Sequence, residues 1–315
     1  MEYKKKLIIL LSITGVLALI YTVSLILDPE IAGSRSASHV WLDSRFAGRT
    51  ARIVINTAGE SSEFIRKNNQ WFVLSNGREY PARQLRIEDF IGIFTIRAAW
   101  PVRSSSASSH DRFGLDSDSA SRVTLYGETS TLLDLLIGGE DITGREVYLR
   151  RHGQNEVRSG DNFISSYVRS PVSSWYNLRL IPESEDGRVA VDSVQRLSVY
   201  SRESAQLFSR VNREWTLSGF DTASLNQSSI DSYVRAVLNT EGDDFIDYIT
   251  VNDPMFDYNR IVLELGTGII RTFRLSDADE SGRRYAAVDG FDYVYSLAPW
   301  AAQRLFRDFS DFERQ

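Results

Sequence analysis

Asn69-Gln70-Trp71-Phe72-Val73-Leu74 and Arg213-Glu214-Trp215-Thr216-Leu217 are two versions of one short apolar phrase. In each, a Trp sits inside a strand-like run that follows another such run, Glu63 to Arg66 and then Gln206 to Ser209. A polar turn comes next, and after it a segment whose apolar residues recur at helical spacing. Working outward from the first phrase, Arg52 to Asn56 reads as a strand and Thr57 to Glu60 as a hairpin turn. Lys67-Asn68-Asn69 is a second turn, and Asn76-Gly77 breaks the sheet. A helix is expected between Ala82 and Ile96, with Leu85, Ile87, Phe90, Ile91 and Phe94 as its stripe. Ser104 to Ser109 reads as a flexible loop. Val123 to Tyr126, Leu132 to Ile137, Glu146 to Arg150 and Glu156 to Arg158 complete a strand set, closed by a short helix over Asp161 to Val168.

Around the second phrase the same order returns. Ser228 with Asp231 looks like a capping box, and Ile230, Tyr233, Val234, Val237 and Leu238 form one helical face. Ile261 to Leu265 and Ile269 to Leu275 flank a Gly-Thr-Gly turn, two short strands follow, and a last helix runs from Pro299 through Leu305. Trp71 and Trp215 lie 144 positions apart, while Tyr148 and Tyr285 lie 137 apart, a shift that one shortened loop would produce. The expectation is an α+β fold: an N-terminal transmembrane helix followed by two tandem, duplicated α+β domains with mostly antiparallel sheets. The divisions expected are a cytoplasmic tail (1–6), an anchor (7–27), a tether (28–50) and repeats over 51–182 and 183–315.

The anchor rests on Leu7 to Leu27, 21 uncharged residues preceded by Lys4-Lys5-Lys6 and closed by Asp28-Pro29-Glu30. At about 1.5 Å per residue such a helix crosses a hydrocarbon core of roughly 30 Å. Its length argues against a cleaved signal peptide, although Ser36-Ala37-Ser38 resembles a cleavage site. The lysines place the N-terminus in the cytoplasm and the remainder outside, in a single-pass arrangement at the bacterial inner membrane, with lipid contact through Leu7–Leu27. His39-Val40-Trp41-Leu42 interrupts the tether, either near the membrane surface or packed on the base of the first domain.

A net charge of −6 without a cationic patch excludes nucleic acid as a partner, and the lack of cysteine excludes disulfides and thiol chemistry. Gly266-Thr267-Gly268 is half a dinucleotide fingerprint but joins two strands. His39, His110 and His152 are scattered. Asp277, Asp279, Ser281 and Gly282 imitate the start of a calcium loop, but Val288 stands where the twelfth-position acid belongs. No catalytic, cofactor-binding or metal-ligating residue emerges, and the chain is not expected to be an enzyme. Trp175, Tyr176 and Leu178, just before the joint between the copies, are candidates for an interface. The acids Glu241, Asp243 and Asp244 past the second helix are further candidates.

Several motifs, taken in order, resemble a known family. They are Asn69-Gln70-Trp71, the helix around Asp89-Phe90, Arg112-Phe113-Gly114-Leu115-Asp116, Leu136-Ile137-Gly138-Gly139, Val147-Tyr148-Leu149-Arg150 and Trp175 to Leu180. This series is similar to the bacterial domain of unknown function numbered 4340. The resemblance implies an N-terminal anchor, a repeated α+β unit and an accessory role beside ABC-type export systems of the gliding-motility kind, with transporter subunits as partners. It supplies no catalytic residue. Where that family tends to place a Pro after Gly-Leu, this chain has none after Gly114-Leu115, and Asp257-Tyr258 stands in the second copy. The expected function is a membrane-anchored extracytoplasmic accessory or scaffold protein. The alternative is a periplasmic ligand-binding module for a glycan or cell-wall component, and a hydrolase with paired carboxylates comes third.

Overall fold

A computed structural model describes residues 38–116, 119–181 and 189–314. The expected anchor at Leu7–Leu27 lies outside the described residues. Among the residues described, no helix is long and apolar enough to cross a membrane. The fold is α+β, every strand pairing among the described residues is antiparallel, and the chain divides after Trp175 into two compact units. The expected joint stood later, at 182.

The first unit begins with β1 (Ser38–His39) and α1 (Ser44–Ala47), then β2 (Arg52–Thr57), β3 (Glu60–Lys67), β4 (Gln70–Ser75) and β5 (Arg78–Pro81). Helix α2 (Gln84–Thr95) follows, then β6 (Ala98–Ala99) and β7 (Val102–Ser104). The unit continues through β8 (Ser121–Tyr126), β9 (Thr131–Glu140), β10 (Glu146–Arg151), β11 (Val157–Asp161) and α3 (Ser165–Val168). Its main sheet has the order β5-β4-β3-β2-β8-β9-β10-β11-β7. Alternate residues Ile53, Ile55, Phe64, Trp71, Val73, Val123, Leu125, Leu133 and Leu135 are buried in its core, as are Ile87, Phe90, Ile91 and Phe94 of α2. Leu85 does not belong to that stripe and is 71% exposed. Two residues before Ile87, it points roughly 200° around the helix, onto the solvent side. Trp175 closes this core against Phe64 and Phe90, with ring centroids 4.8 and 5.6 Å away.

The second unit contains β12 (Val194–Tyr200), β13 (Ala205–Val211), β14 (Glu214–Leu217), α4 (Gln227–Leu238) and β15 (Asp244–Ile246). It is completed by β16 (Asn259–Leu265), β17 (Ile270–Leu275), β18 (Arg284–Val288), β19 (Val294–Leu297) and α5 (Pro299–Leu305). Its sheet order is β14-β13-β12-β16-β17-β18-β19-β15. The expected face of α4 is buried in full: Ile230, Tyr233, Val234, Val237 and Leu238. Its start differs from the capping box expected at Ser228. Asn226 is the N-cap, accepting from the Ser229 N–H, and Ser228 donates to Asn226 Oδ1 at 2.8 Å. Asp231 is drawn elsewhere, accepting the Trp215 indole N–H at 2.8 Å.

Each Trp phrase follows a two-residue turn in which both central residues have positive φ, Asn68 and Asn69 in one unit, Asn212 and Arg213 in the other. That backbone suits the right-handed twist of a hairpin. Each Trp backbone is then bracketed by the first residue of the helix. The Trp71 N–H donates to Gln84 Oε1 at 2.7 Å, and Gln84 Nε2 donates to the Trp71 carbonyl at 3.0 Å. Gln227 does the same for Trp215, at 2.7 and 3.0 Å.

The tether is shorter than expected. Within the first unit β1 pairs with β6, Trp41 and Leu42 are buried, and the Leu42 N–H donates to the Phe94 carbonyl at 2.8 Å. Arg151 Nη2 donates to the Trp41 carbonyl. His39, Trp41 and Trp100 form a ring cluster, with centroids 4.7 and 5.6 Å apart. Burial first, and then the charges of Arg158 and Arg151, hold the His39 imidazole below its ordinary value of 6.5, against Glu156, with Arg97 adding to the lowering. A depressed histidine binds fewer protons folded than unfolded, so its docking is at full strength above about pH 6.5 and weakens as pH falls below that. Amide exchange over 38–42 and 98–99 is therefore expected to accelerate between pH 7 and 5 relative to the rest of the unit. Persistence of that acceleration in His39→Gln would exclude the imidazole as its cause.

Candidate functional site

In the first unit the sequence motifs meet on the sheet face that carries the alternate residues Arg122, Leu136, Tyr148 and Arg150. Leu115 is fully buried there against Leu136 and Val157, with Phe113, Ala120 and Tyr148 around it. The segment Phe113-Gly114-Leu115 crosses β9 at Gly138-Gly139. A Cβ on Gly138 would lie 2.3 Å from the Phe113 carbonyl oxygen and 2.8 Å from Leu115 Cγ. Gly114 turns the loop with φ +63°, and a Cβ on it would approach the Gly139 nitrogen to 3.0 Å. Arg150 fastens the loop from β10, its Nε and Nη2 donating to the Leu115 carbonyl at 3.2 and 3.0 Å. Nη1 donates to the Gln154 carbonyl at 3.2 Å.

Beside this loop lies a cavity of about 410 Å³, lined by Asn56 to Gly59, Ala120, Arg122, Leu136, Arg150 and His152. Strand register builds its floor. Asn56 faces Arg122, Arg122 faces Leu136, and Leu136 faces Arg150 across four neighbouring strands. Residues directly opposite in antiparallel strands share a face, so these four form one row. Arg122 grips Asp134 through two bonds of 2.9 and 2.7 Å, and His152 Nδ1 stands 3.5 Å from the same carboxylate. The Arg122 guanidinium holds the Asp134 carboxyl below the usual carboxylate range. A carboxylate so held is a weak proton acceptor, which suits a structural partner better than a general base. Arg150 binds only carbonyls, and its burial lowers its pKa. The chemistry on offer is anion recognition.

The family model described as Domain of unknown function (DUF4340) matches residues 71–260, more than half of the chain. The chain belongs to that family. No curated protein and no solved structure matches it. The DUF4340 match opens at Trp71 and includes both glutamine brackets, the Phe113–Leu115 crossing, Gly138-Gly139 and Arg150. Three of the motifs that carried the resemblance, Arg112–Asp116, Leu136–Gly139 and Val147–Arg150, are thus the parts that fasten a loop onto a sheet.

The remaining candidates divide between the units. Trp175 belongs to the first core, while Tyr176 packs against Phe245 in the second, with centroids 5.1 Å apart. In the second unit Leu178 accepts from the Gly242 N–H at 2.7 Å, and Arg179 pairs with Glu241 at 3.2 Å. Asp243 and Asp244 are exposed at the entry to β15; burial, followed by the Asp244 charge, raises the Asp243 carboxyl against the nearby Arg283. Asp279 accepts the backbone N–H groups of Ser281 and Arg283, both at 2.9 Å, so the loop resembling a calcium site is a side-chain-closed turn. Among the described residues no group of three or more His, Cys, Asp or Glu is placed to hold a metal ion. His152 reaches the cavity, whereas His110 bonds the Asn155 carbonyl at 3.1 Å. Sequence reasoning missed the cavity, because its row exists only once four strands are in register.

Proposed function

We propose that this chain is a membrane-anchored extracytoplasmic accessory protein without enzymatic activity, working through contact with subunits of an ABC-type export system. The docked segment Ser38–Leu42 carries the reading. It leaves only residues 28–37 between the apolar run and the first unit, a reach of at most roughly 35 Å. A module held so close to a bilayer is confined to partners in or against that bilayer, and exposed Asp243 and Asp244 give it polar contact surface. The two units are read as copies of one ancestor. Support comes from their shared strand order apart from β5, the paired glutamine brackets, and matching registers. The row Asn56-Arg122-Leu136-Arg150 has Tyr200-Arg260-Arg274-Ala287 as its counterpart.

The natural chain has no cysteine, so one introduced at exposed Gly153 is a unique label. In spheroplasts a membrane-impermeant maleimide is expected to modify Gly153→Cys without lysis, and a bifunctional reagent there should capture transporter subunits. Labelling only after lysis, or a mature N-terminus near Ala37 by mass spectrometry, would overturn the anchored topology. The second reading, a periplasmic ligand-binding module, is favoured by the cavity of the first unit.

A further inference from the structure

The geometry points to the cavity beside Arg150 as a binding site for a small carboxylate ligand with an apolar body. Its size falls within the range of small-molecule sites, about 300–1,000 Å³. The row across the strands sets the polarity. Leu136, with Ala120 beside it, offers an apolar floor between two guanidinium side chains. Strands lie about 4.8 Å apart, so the Arg122 and Arg150 backbones stand roughly 10 Å from one another. Side chains of that length can converge on one oxyanion between them.

The charges favour a monoanion. Arg122 is already neutralised by Asp134, through two bonds, whereas Arg150 spends its donors on the Leu115 and Gln154 carbonyls and meets no carboxylate among the described residues. One half-buried positive charge is therefore left without a carboxylate partner among the described residues, and a carboxylate ligand supplies it. His152 adds a further polar side chain to the lining.

The second unit shows what a closed version looks like. In its row Arg260 lies over the Tyr200 ring at 4.3 Å, Arg274 pairs with Asp289 at 3.2 Å, and Ala287 is covered by Phe256. Both cations there have partners inside the protein. The site is thus a property of the first unit, and it stands independently of the anchored topology.

Benzoate is the probe, with benzamide as its uncharged isostere, and binding to the full chain in detergent is read by saturation-transfer NMR. Benzoate is expected to bind and benzamide not. Arg150→Met should weaken benzoate by about tenfold or more. Because Arg150 also fastens the Leu115 loop, Ala120→Leu is the second variant. It fills the cavity, leaves every charge in place, and should abolish binding. Equal binding of benzoate and benzamide, undiminished binding in Ala120→Leu, or no benzoate signal up to about 10 mM would each overturn the proposal. Inorganic phosphate competing as strongly as benzoate would overturn the assignment to a carboxylate.

Discussion

Truncating Trp71 or Trp215 to alanine is expected to destabilise the unit that carries it by about 3–5 kcal/mol. Both indoles are 2% exposed or less and lie in the core beneath a helix. Trp71→Ala leaves a hole the size of an indole, and close-packed neighbours close such holes only in part. Trp215→Ala adds a second loss, since Asp231 would give up its indole partner at 2.8 Å. The glutamine brackets would survive either change because they hold the Trp backbone. Urea denaturation is the measurement, followed by near-ultraviolet circular dichroism. A midpoint indistinguishable from the natural chain would mean that the indole is solvent-facing, and would remove the core described for that unit.

Gly138→Ala is the second large expected effect, a loss of about 1–3 kcal/mol from one methyl group. The added Cβ would sit 2.3 Å from the Phe113 carbonyl oxygen, which is backbone and cannot rotate aside. Either β9 shifts or the Phe113–Leu115 segment lifts from the sheet and uncovers Leu136 and Val157. Gly139→Ala is the internal control, because its Cβ would meet the same oxygen at 3.5 Å, an ordinary contact. That variant should stay within about 0.5 kcal/mol of the natural chain. Equal melting temperatures for the two variants would show that the crossing is not as close as described.

Most of the longer strands were readable because period-two burial and the Asn-Asn turn are local signals, but Asn76-Gly77, read as a break in the sheet, is the hairpin turn that leads into β5. The α4 face and the last helix from Pro299 to Leu305 were readable because their apolar spacing and proline start are local too. What escaped is what needs two distant segments. Gln84 and Gln227 carry no sequence signal of their role, since nothing nearby says that their carboxamides reach back across 13 and 12 positions to a strand. Ser104 to Ser109 read as loop, and the Phe113-Gly114-Leu115 crossing that follows became intelligible only once Gly138 was beneath it. Of the two places open to Trp41 and Leu42, the membrane surface or the base of the first domain, the second holds, since a buried face at the end of α2 receives them. The apolar run at the N-terminus was the plainest feature of the sequence, yet it lies outside the described residues. The cavity was the least legible, because Asn56, Arg122, Leu136 and Arg150 share nothing until hydrogen bonding aligns them.

The bracket made by Gln227 has a bearing on solubility. Strand β14 ends its sheet without a neighbour corresponding to β5. In an antiparallel pair alternate residues aim their backbone groups away from the partner strand, and here those are Trp215 and Leu217. Gln227 occupies both the N–H and the carbonyl of Trp215, and the Phe220 N–H occupies the carbonyl of Leu217. A stray extended chain arriving at this margin finds most of the ladder already taken. Adding itself as a further strand, the first step of sheet-to-sheet aggregation, is thereby disfavoured. The Gln227 carboxamide and the Phe220 N–H together thus cover groups that a neighbouring strand would otherwise meet.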